Sequence, residues 1–162
     1  MNVSGYNHYQ KISINRPPAD LYAIVSDVTR VGDLSPVCQF GTWDNAAQAG
    51  KKGAWFTGHN AIGEFSWDTR CKVVASEPGR EFSFVNFGPE GEVELVRWTY
   101  TFEEGADGTE VTESWQVLPA YPDFISDGDP DVDIKARIDG MAQMALDGIK
   151  TTLANLKRLA ES

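Results

Sequence analysis

Polar and apolar positions alternate from Tyr6 to Ile14. Tyr6, His8, Gln10, Ile12 and Ile14 fall on one face and Asn7, Tyr9, Lys11 and Ser13 on the other, the period of a half-buried strand. The period changes at Pro17-Pro18, where prolines in a first helical turn lose no needed donor. Leu21, Ile24 and Val25 then form an apolar stripe with Asp20 near the positive end, which predicts a short helix to about Ser26. A second short helix is predicted over Thr29 to Leu34. Ser35-Pro36 stops it, because the residue before a proline is pushed out of the helical region.

From Val37 to Val117, runs rich in Phe, Trp, Tyr, Val and Thr recur between turn signals, the pattern of consecutive antiparallel strands. Six are predicted, over about Val37 to Trp43, Ala54 to Asn60, Glu64 to Ala75, Glu81 to Phe87, Glu92 to Glu103 and Thr109 to Leu118. An acidic loop, Tyr121 to Gly128, follows. Asp129 can then cap a long helix with Pro130 in its first position and Asp131 and Asp133 near its positive end. Ile134, Ile138, Met141, Ala145, Ile149, Thr152 and Leu156 recur at helical spacing, with Lys157 and Arg158 near the negative end. That stripe needs cover, and a curved seven-stranded sheet is the only large surface able to supply it. The expected class is α+β, with the sheet wrapped around the C-terminal helix.

Composition narrows the function. A chain of 162 residues fits a single domain over 1–162, and 41% hydrophobic residues suffice for a core. The net charge of −10 repels phosphate backbones and anionic headgroups, so nucleic acid is not an expected partner. No apolar run reaches the ~20 residues that span a bilayer, so no membrane insertion is expected. The opening Met1 to Gln10 lacks a basic start and an apolar segment, and Cys38 and Cys71 form no CxxC. These features point to a cytoplasmic protein with free thiols, a monomer or weak homodimer.

The order of elements, and within it Ile14-Asn15-Arg16-Pro17-Pro18, Ser26-Asp27-Val28-Thr29-Arg30, Ser35-Pro36-Val37-Cys38, Gly58-His59-Asn60, Trp67, Trp98-Thr99-Tyr100 and Gly108-Thr109-Glu110-Val111-Thr112-Glu113-Ser114, resembles the START-like (Bet v 1-like, SRPBCC) superfamily. The likeness is to its polyketide cyclase/dehydrase-type branch, common in actinobacteria. The resemblance covers nearly the whole chain. It implies a helix-grip fold with a cavity between sheet and long helix, used in relatives for bulky apolar molecules such as polyketides, lipids, sterols and plant hormones. Leu34 departs from the pattern, standing where relatives often carry a tryptophan at the mouth of the pocket.

Directly paired residues of an antiparallel hairpin share a face. A regular turn after Glu103 sets Phe102 opposite Val111, Tyr100 opposite Glu113 and Trp98 opposite Trp115. The preceding hairpins are expected to pair Asn60 with Phe65, Gly58 with Trp67, Phe56 with Thr69, and then Val73 with Phe82, Cys71 with Phe84 and Thr69 with Asn86. The inner wall is therefore expected to carry Phe56, Phe65, Trp67, Phe82, Phe84, Trp98, Tyr100 and Trp115. His8, Asn60, Thr69, Asn86 and Glu113 are set among these aromatics, and Ile138, Met141, Ala145 and Ile149 face them from the long helix. Such a wall suits a flat apolar ligand with a few oxygens, or else simply fills a core.

Glu113 and Tyr100 are the catalytic candidates. A carboxyl on an apolar strand face titrates nearer neutrality, and beside a phenol it can polarise a carbonyl or remove an α-proton, as aldol cyclisation and dehydration require. A structural pairing of Glu113 with Arg97 or Tyr100 is the plainer account. His8 has the reference pKa for proton transfer, whereas His59 alternates outward. Gly140 and Gly148 weaken the long helix unless an aromatic or ligand packs close to them.

The two histidines and two cysteines match no metal-ligand spacing, and the Asp127 to Asp133 run lacks the sixth-position glycine of a calcium loop. Gly50-Lys51-Lys52-Gly53 is no phosphate loop, and no GxSxG elbow is present. No cofactor is expected. Three readings follow: a cofactor-independent cyclase, aromatase or dehydratase, a non-catalytic carrier or sensor of a hydrophobic small molecule, and a protein-interaction module with a filled core.

Overall fold

The computed structural model describes residues 1–162. Strand β1 (Asn7–Ile14) is followed by α1 (Pro18–Ser26) and a 3-10 helix over Val28–Asp33. Six strands come next: β2 (Cys38–Trp43), β3 (Trp55–Ile62), β4 (Phe65–Glu77), β5 (Glu81–Asn86), β6 (Val96–Gly105) and β7 (Gly108–Val117). A short 3-10 turn, Ala46–Gln48, sits between β2 and β3. Helices α2 (Tyr121–Ser126) and α3 (Ile134–Glu161) complete the chain. All seven strands form one antiparallel sheet in the order β1-β7-β6-β5-β4-β3-β2. No helix is long and apolar enough to cross a membrane.

Two expectations near α3 are corrected. The segment beginning at Tyr121 is not a loop: Pro122 sits in the first turn of α2, and Asp127, in the left-handed region at φ 45°, ends it. The cap of α3 is Asp133, whose Oδ1 accepts from the Ala136 amide at 3.0 Å. Asp129 instead closes a turn of its own by accepting from the Asp131 amide at 2.9 Å.

The β6–β7 hairpin has the expected register, with Phe102 opposite Val111, Tyr100 opposite Glu113 and Trp98 opposite Trp115. The other two hairpins are displaced. The β3–β4 turn is tighter than expected, with Ile62 opposite Phe65, so Asn60 pairs with Trp67, Gly58 with Thr69 and Phe56 with Cys71. A bulge between Val73 and Ala75 then sets Val73 opposite Phe84, Cys71 opposite Asn86 and Ser76 opposite Phe82. Up to the bulge each displacement is by two residues, which keeps those side chains on their expected face; beyond it the shift is three, and Ser76 pairs with Phe82.

Helix α3 lies chiefly against β1 and β7. Ile14, Leu21, Val73, Phe82, Val111, Ile138, Ile149 and Leu156 are wholly buried between helices and sheet. Polar ties fix the far end of α3: Lys157 Nζ donates to Ser13 O at 3.0 Å and the Asn15 amide to Glu161 Oε2 at 2.9 Å. Asn155 Nδ2 donates to Leu34 O at 2.8 Å, joining α3 to the end of the first 3-10 helix. That 3-10 helix lies so close on β2 that a Cβ at Gly32 would stand 2.0 Å from Gln39 O, and one at Gly41 2.9 Å from Val28 Cγ2.

Candidate ligand cavity

Between sheet and α3 the fold encloses a cavity of about 240 Å³ lined by 27 residues, 18 of them hydrophobic. Its floor is the concave face of β3 to β7, with Phe56, Trp67, Phe84, Trp98, Tyr100 and Trp115 interspersed with Asn60, Thr69, Asn86 and Glu113. Its roof is one side of α3: Met141, Met144, Ala145, Gly148 and Thr152. A third wall runs from Val28 through Val31, Leu34, Ser35, Pro36 and Val37 to Cys38, and Tyr121 of α2 closes one corner. Met141 and Met144 are also partly open to solvent, which places the mouth between α3 and this third wall.

Most expected wall residues line the cavity, but five do not. Phe65 follows the tight β3–β4 turn at the end of the sheet, where it is 68% exposed and stacks only on Trp67. Phe82 lies beneath α1, edge-on to Tyr22, where that helix packs on β5 and β6. His8, on edge strand β1, stacks against Trp115 with centroids 6.1 Å apart and stays outside the lining. Ile138 and Ile149 are wholly buried in the core. Met141, Met144 and Gly148 project roughly 60–140° around the helix from them, toward the cavity.

Only part of the third wall is read from the sequence: Val28, Val31 and Leu34 recur at a spacing of three around the predicted short helix, whereas Pro36 and Val37 follow no period. Leu34 is 2% exposed and lines this third wall. His59 faces outward as expected. Its Nδ1 lies 2.9 Å from Asp68 Oδ1, its Nε2 3.0 Å from Thr42 Oγ1, and Phe40 stacks on its ring. Arg97 pairs with Glu81 at 3.4 Å, so it does not neutralise Glu113. Gly140 is exposed, whereas Gly148 borders the cavity, and a Cβ at either would meet nothing within 4 Å.

Glu113 is the polar centre. It is 4% exposed, and its Oε1 is buried without any hydrogen-bond partner. Burial pushes its carboxyl up to about 8, while the Tyr100 phenol beside it restrains the rise. At neutral pH the group is therefore mostly a carboxylic acid. Tyr100 is driven well above 10, by burial first and then by the neighbouring carboxyl. Burial also lifts the thiols of Cys38 and Cys71, to about 11 and about 12, and the Tyr121 phenol to about 12. No Lys, Arg or His lines the cavity.

The remaining polar groups are partly committed. Asn60 Nδ2 lies within 3.4 Å of Gly58 O, Trp67 O and Thr69 Oγ1, which ties this amide to the wall. Asn86 Oδ1 accepts from the Gly88 amide at 2.8 Å, and its Nδ2 makes no bond within the protein. The cavity thus offers the Asn86 amide nitrogen as a donor and the Asn60 amide oxygen as an acceptor from the floor, with an aromatic surface around them.

A cavity held between a gripping sheet and a C-terminal helix defines a Bet v 1-like helix-grip protein. Over residues 8–161 the sequence matches the family described as polyketide cyclase / dehydrase and lipid transport, and the chain belongs to that family. It is similar to the polyketide-cyclase-like protein Cgl2372 of Corynebacterium glutamicum at 36% identity, over 96% of this chain and 91% of that one, with a TM-score of 0.68. At 11% identity, the di-domain ARO/CYC protein StfQ of the steffimycin biosynthetic pathway shares the fold, over 96% of this chain and 50% of that one, with a TM-score of 0.71. The major latex-like protein 151 of Panax ginseng does so at 13% identity, over 95% and 96% of the two chains, with a TM-score of 0.66. No curated protein matches the sequence significantly.

Proposed function

We propose that the chain binds a bulky hydrophobic small molecule, polyketide- or lipid-like, in the cavity between sheet and α3. The observation that carries this reading is the conjunction of an aromatic cavity of about 240 Å³ with one buried carboxyl whose Oε1 has no partner within the protein. Apolar walls with a few convergent polar groups are the usual make-up of a small-molecule site, and a buried polar atom left unpaired calls for a partner from outside the chain.

The finer reading is cofactor-independent acid–base chemistry on a bound polyketone. In its carboxylate form Glu113 takes an α-proton from the substrate carbon, the C–H electrons move into the carbonyl to give an enolate, and the Tyr100 phenol steadies the developing oxygen charge. In its acid form Glu113 protonates a departing hydroxyl, which leaves as water. The aromatic walls fold the substrate so that the reacting atoms meet. A carrier uses the same cavity without these steps. That reading is favoured by the absence of any cation in the lining to stabilise an oxyanion.

Native mass spectrometry of the protein taken directly from its host, followed by identification of molecules released on denaturation, tests the binding reading. A co-purifying polyketide or lipid supports it. Protein that arrives without ligand and also refuses uncharged hydrophobic dyes would sink it. With the released molecule as substrate, loss of turnover but retained binding in Glu113→Gln supports the enzyme, and absence of any turnover by the native protein supports the carrier.

A further inference from the structure

The polar inventory of the cavity holds no cation. Tyr100 stands directly opposite Glu113 across the β6–β7 hairpin, and the carboxyl oxygen Oε1 is buried with no hydrogen-bond partner in the protein. Asn86 adds an uncommitted amide nitrogen, whereas the Asn60 amide nitrogen is occupied by the wall. The 27 lining residues contain no Lys, Arg or His that could neutralise an incoming anion. The whole chain carries a charge of −10, which further repels one.

We infer that the ligand of this cavity is uncharged and docks through a carbonyl-type oxygen that accepts a hydrogen bond from the Oε1 hydroxyl of Glu113, and that free carboxylates, fatty acids among them, are excluded. The inference rests on the binding reading above and narrows it to neutral ketones, quinones, lactones and amides. An ionised carboxylate would have to leave water for a pocket with no counter-charge, or else take up a proton first. An ammonium ligand would find aromatic rings, but it would also require the acid to ionise in the same apolar surroundings.

The hydrogen bond should fail as Glu113 loses its proton. Of the groups facing Glu113 from neighbouring elements, β6 supplies Tyr100, β2 Cys38, β4 Cys71 and α2 Tyr121, all raised to about 11, about 12 or well above 10. Across β1 the partner of Glu113 is Gln10, and His8 lies behind Trp115 outside the lining. The cavity faces of α1, the first 3-10 helix and α3 carry no titratable side chain. A change in ligand binding near pH 8 therefore belongs to Glu113.

The test uses four probes on one apolar frame with the intact protein: naphthalene, 2-acetylnaphthalene, 2-naphthoate and 2-naphthylmethylamine, titrated calorimetrically at pH 6.5. The expected result is that 2-acetylnaphthalene binds best and 2-naphthoate roughly a hundredfold weaker, since a carboxyl with a pKa of about 4 must be protonated to enter. From pH 7 to 9.5 the affinity for 2-acetylnaphthalene should fall roughly tenfold in the native protein and stay flat in Glu113→Gln, whose amide still donates. Binding of 2-naphthoate as tight as the ketone, tighter binding of the amine, or a pH-independent ketone affinity in the native protein overturns the inference while leaving a hydrophobic cavity in place. Failure of naphthalene and the ketone alike overturns the cavity reading as well.

Discussion

Tyr100 and Glu113 face each other directly across the β6–β7 hairpin, both more than nine-tenths buried, with no cationic side chain in the cavity they line. The pair is held by strand register, since the two strands stay in step from Val96 opposite Val117 to Gly105 opposite Gly108. A phenol directed at a carboxyl favours the charged form of that carboxyl, so Tyr100 keeps Glu113 from rising further under burial. Tyr100→Phe removes the restraint. The Glu113 titration, followed by carbon-13 NMR of its side-chain carboxyl, should move upward from about 8. A midpoint that stays put or falls would mean that the phenol does not act on the carboxyl.

The raised Glu113 carboxyl also links stability to pH. Between 4.5 and about 8 the unfolded chain has released this proton while the folded protein keeps it. Folding stability attributable to Glu113 is therefore complete below 4.5 and declines as pH rises toward 8, by up to about 1.4 kcal/mol per pH unit across that window. Glu113→Gln has no proton to lose. In urea unfolding series at pH 5 and pH 8, the native protein should lose several kcal/mol relative to the variant on going to the higher pH. Parallel curves for the two proteins would show that Glu113 ionises normally in the fold.

The lie of the first 3-10 helix on β2 gives a steric prediction. A Cβ at Gly32 would stand 2.0 Å from the Gln39 carbonyl oxygen, a backbone atom that cannot rotate aside. Gly32→Ala should cost about 1–3 kcal/mol, as overpacking does, and should loosen the wall that carries Val31 and Leu34. Gly5→Ala, with nothing within 4 Å of the added carbon, is the neutral control. Equal melting temperatures for both variants would show that the 3-10 helix is not seated so closely.

Much of this arrangement is legible in the residues, and the parts that are not have local causes. The β6–β7 register could be read because Gly105-Ala106-Asp107-Gly108 closes a regular turn, and that register alone brings Tyr100 to Glu113. The β3–β4 pairing moved by two residues because the chain turns at Gly63-Glu64 rather than one residue earlier, and face parity survived the change. The bulge at Val74 leaves no mark in the alternation, and neither does the packing of α1 over Phe82, which takes that ring out of the cavity. An apolar stripe on α3 shows that the helix is gripped. It does not separate the core-facing Ile138 and Ile149 from the cavity-facing Met141 and Gly148, because that division depends on where the sheet curves away. Tyr121 and the Pro36–Val37 part of the third wall lie in segments without a period, so their contribution emerges only in three dimensions.

Gly148 separates helix stability from cavity volume. It borders the cavity at mid-helix, and a Cβ there would meet no atom within 4 Å, so no close approach of backbone requires a glycine. Gly148→Ala should stabilise the protein by about 1 kcal/mol through helix propensity and leave binding of 2-acetylnaphthalene nearly unchanged. Gly148→Phe keeps most of that gain but projects an aromatic ring into a space of about 240 Å³, where it competes with the ligand for the same walls. Its melting temperature should be at or above that of the native protein, while quenching of the lining tryptophans Trp67, Trp98 and Trp115 by the ketone should disappear. A Phe variant that melts early would instead show that the cavity cannot admit a ring at this position. One that binds the ketone as tightly as the native protein would place the ligand away from α3.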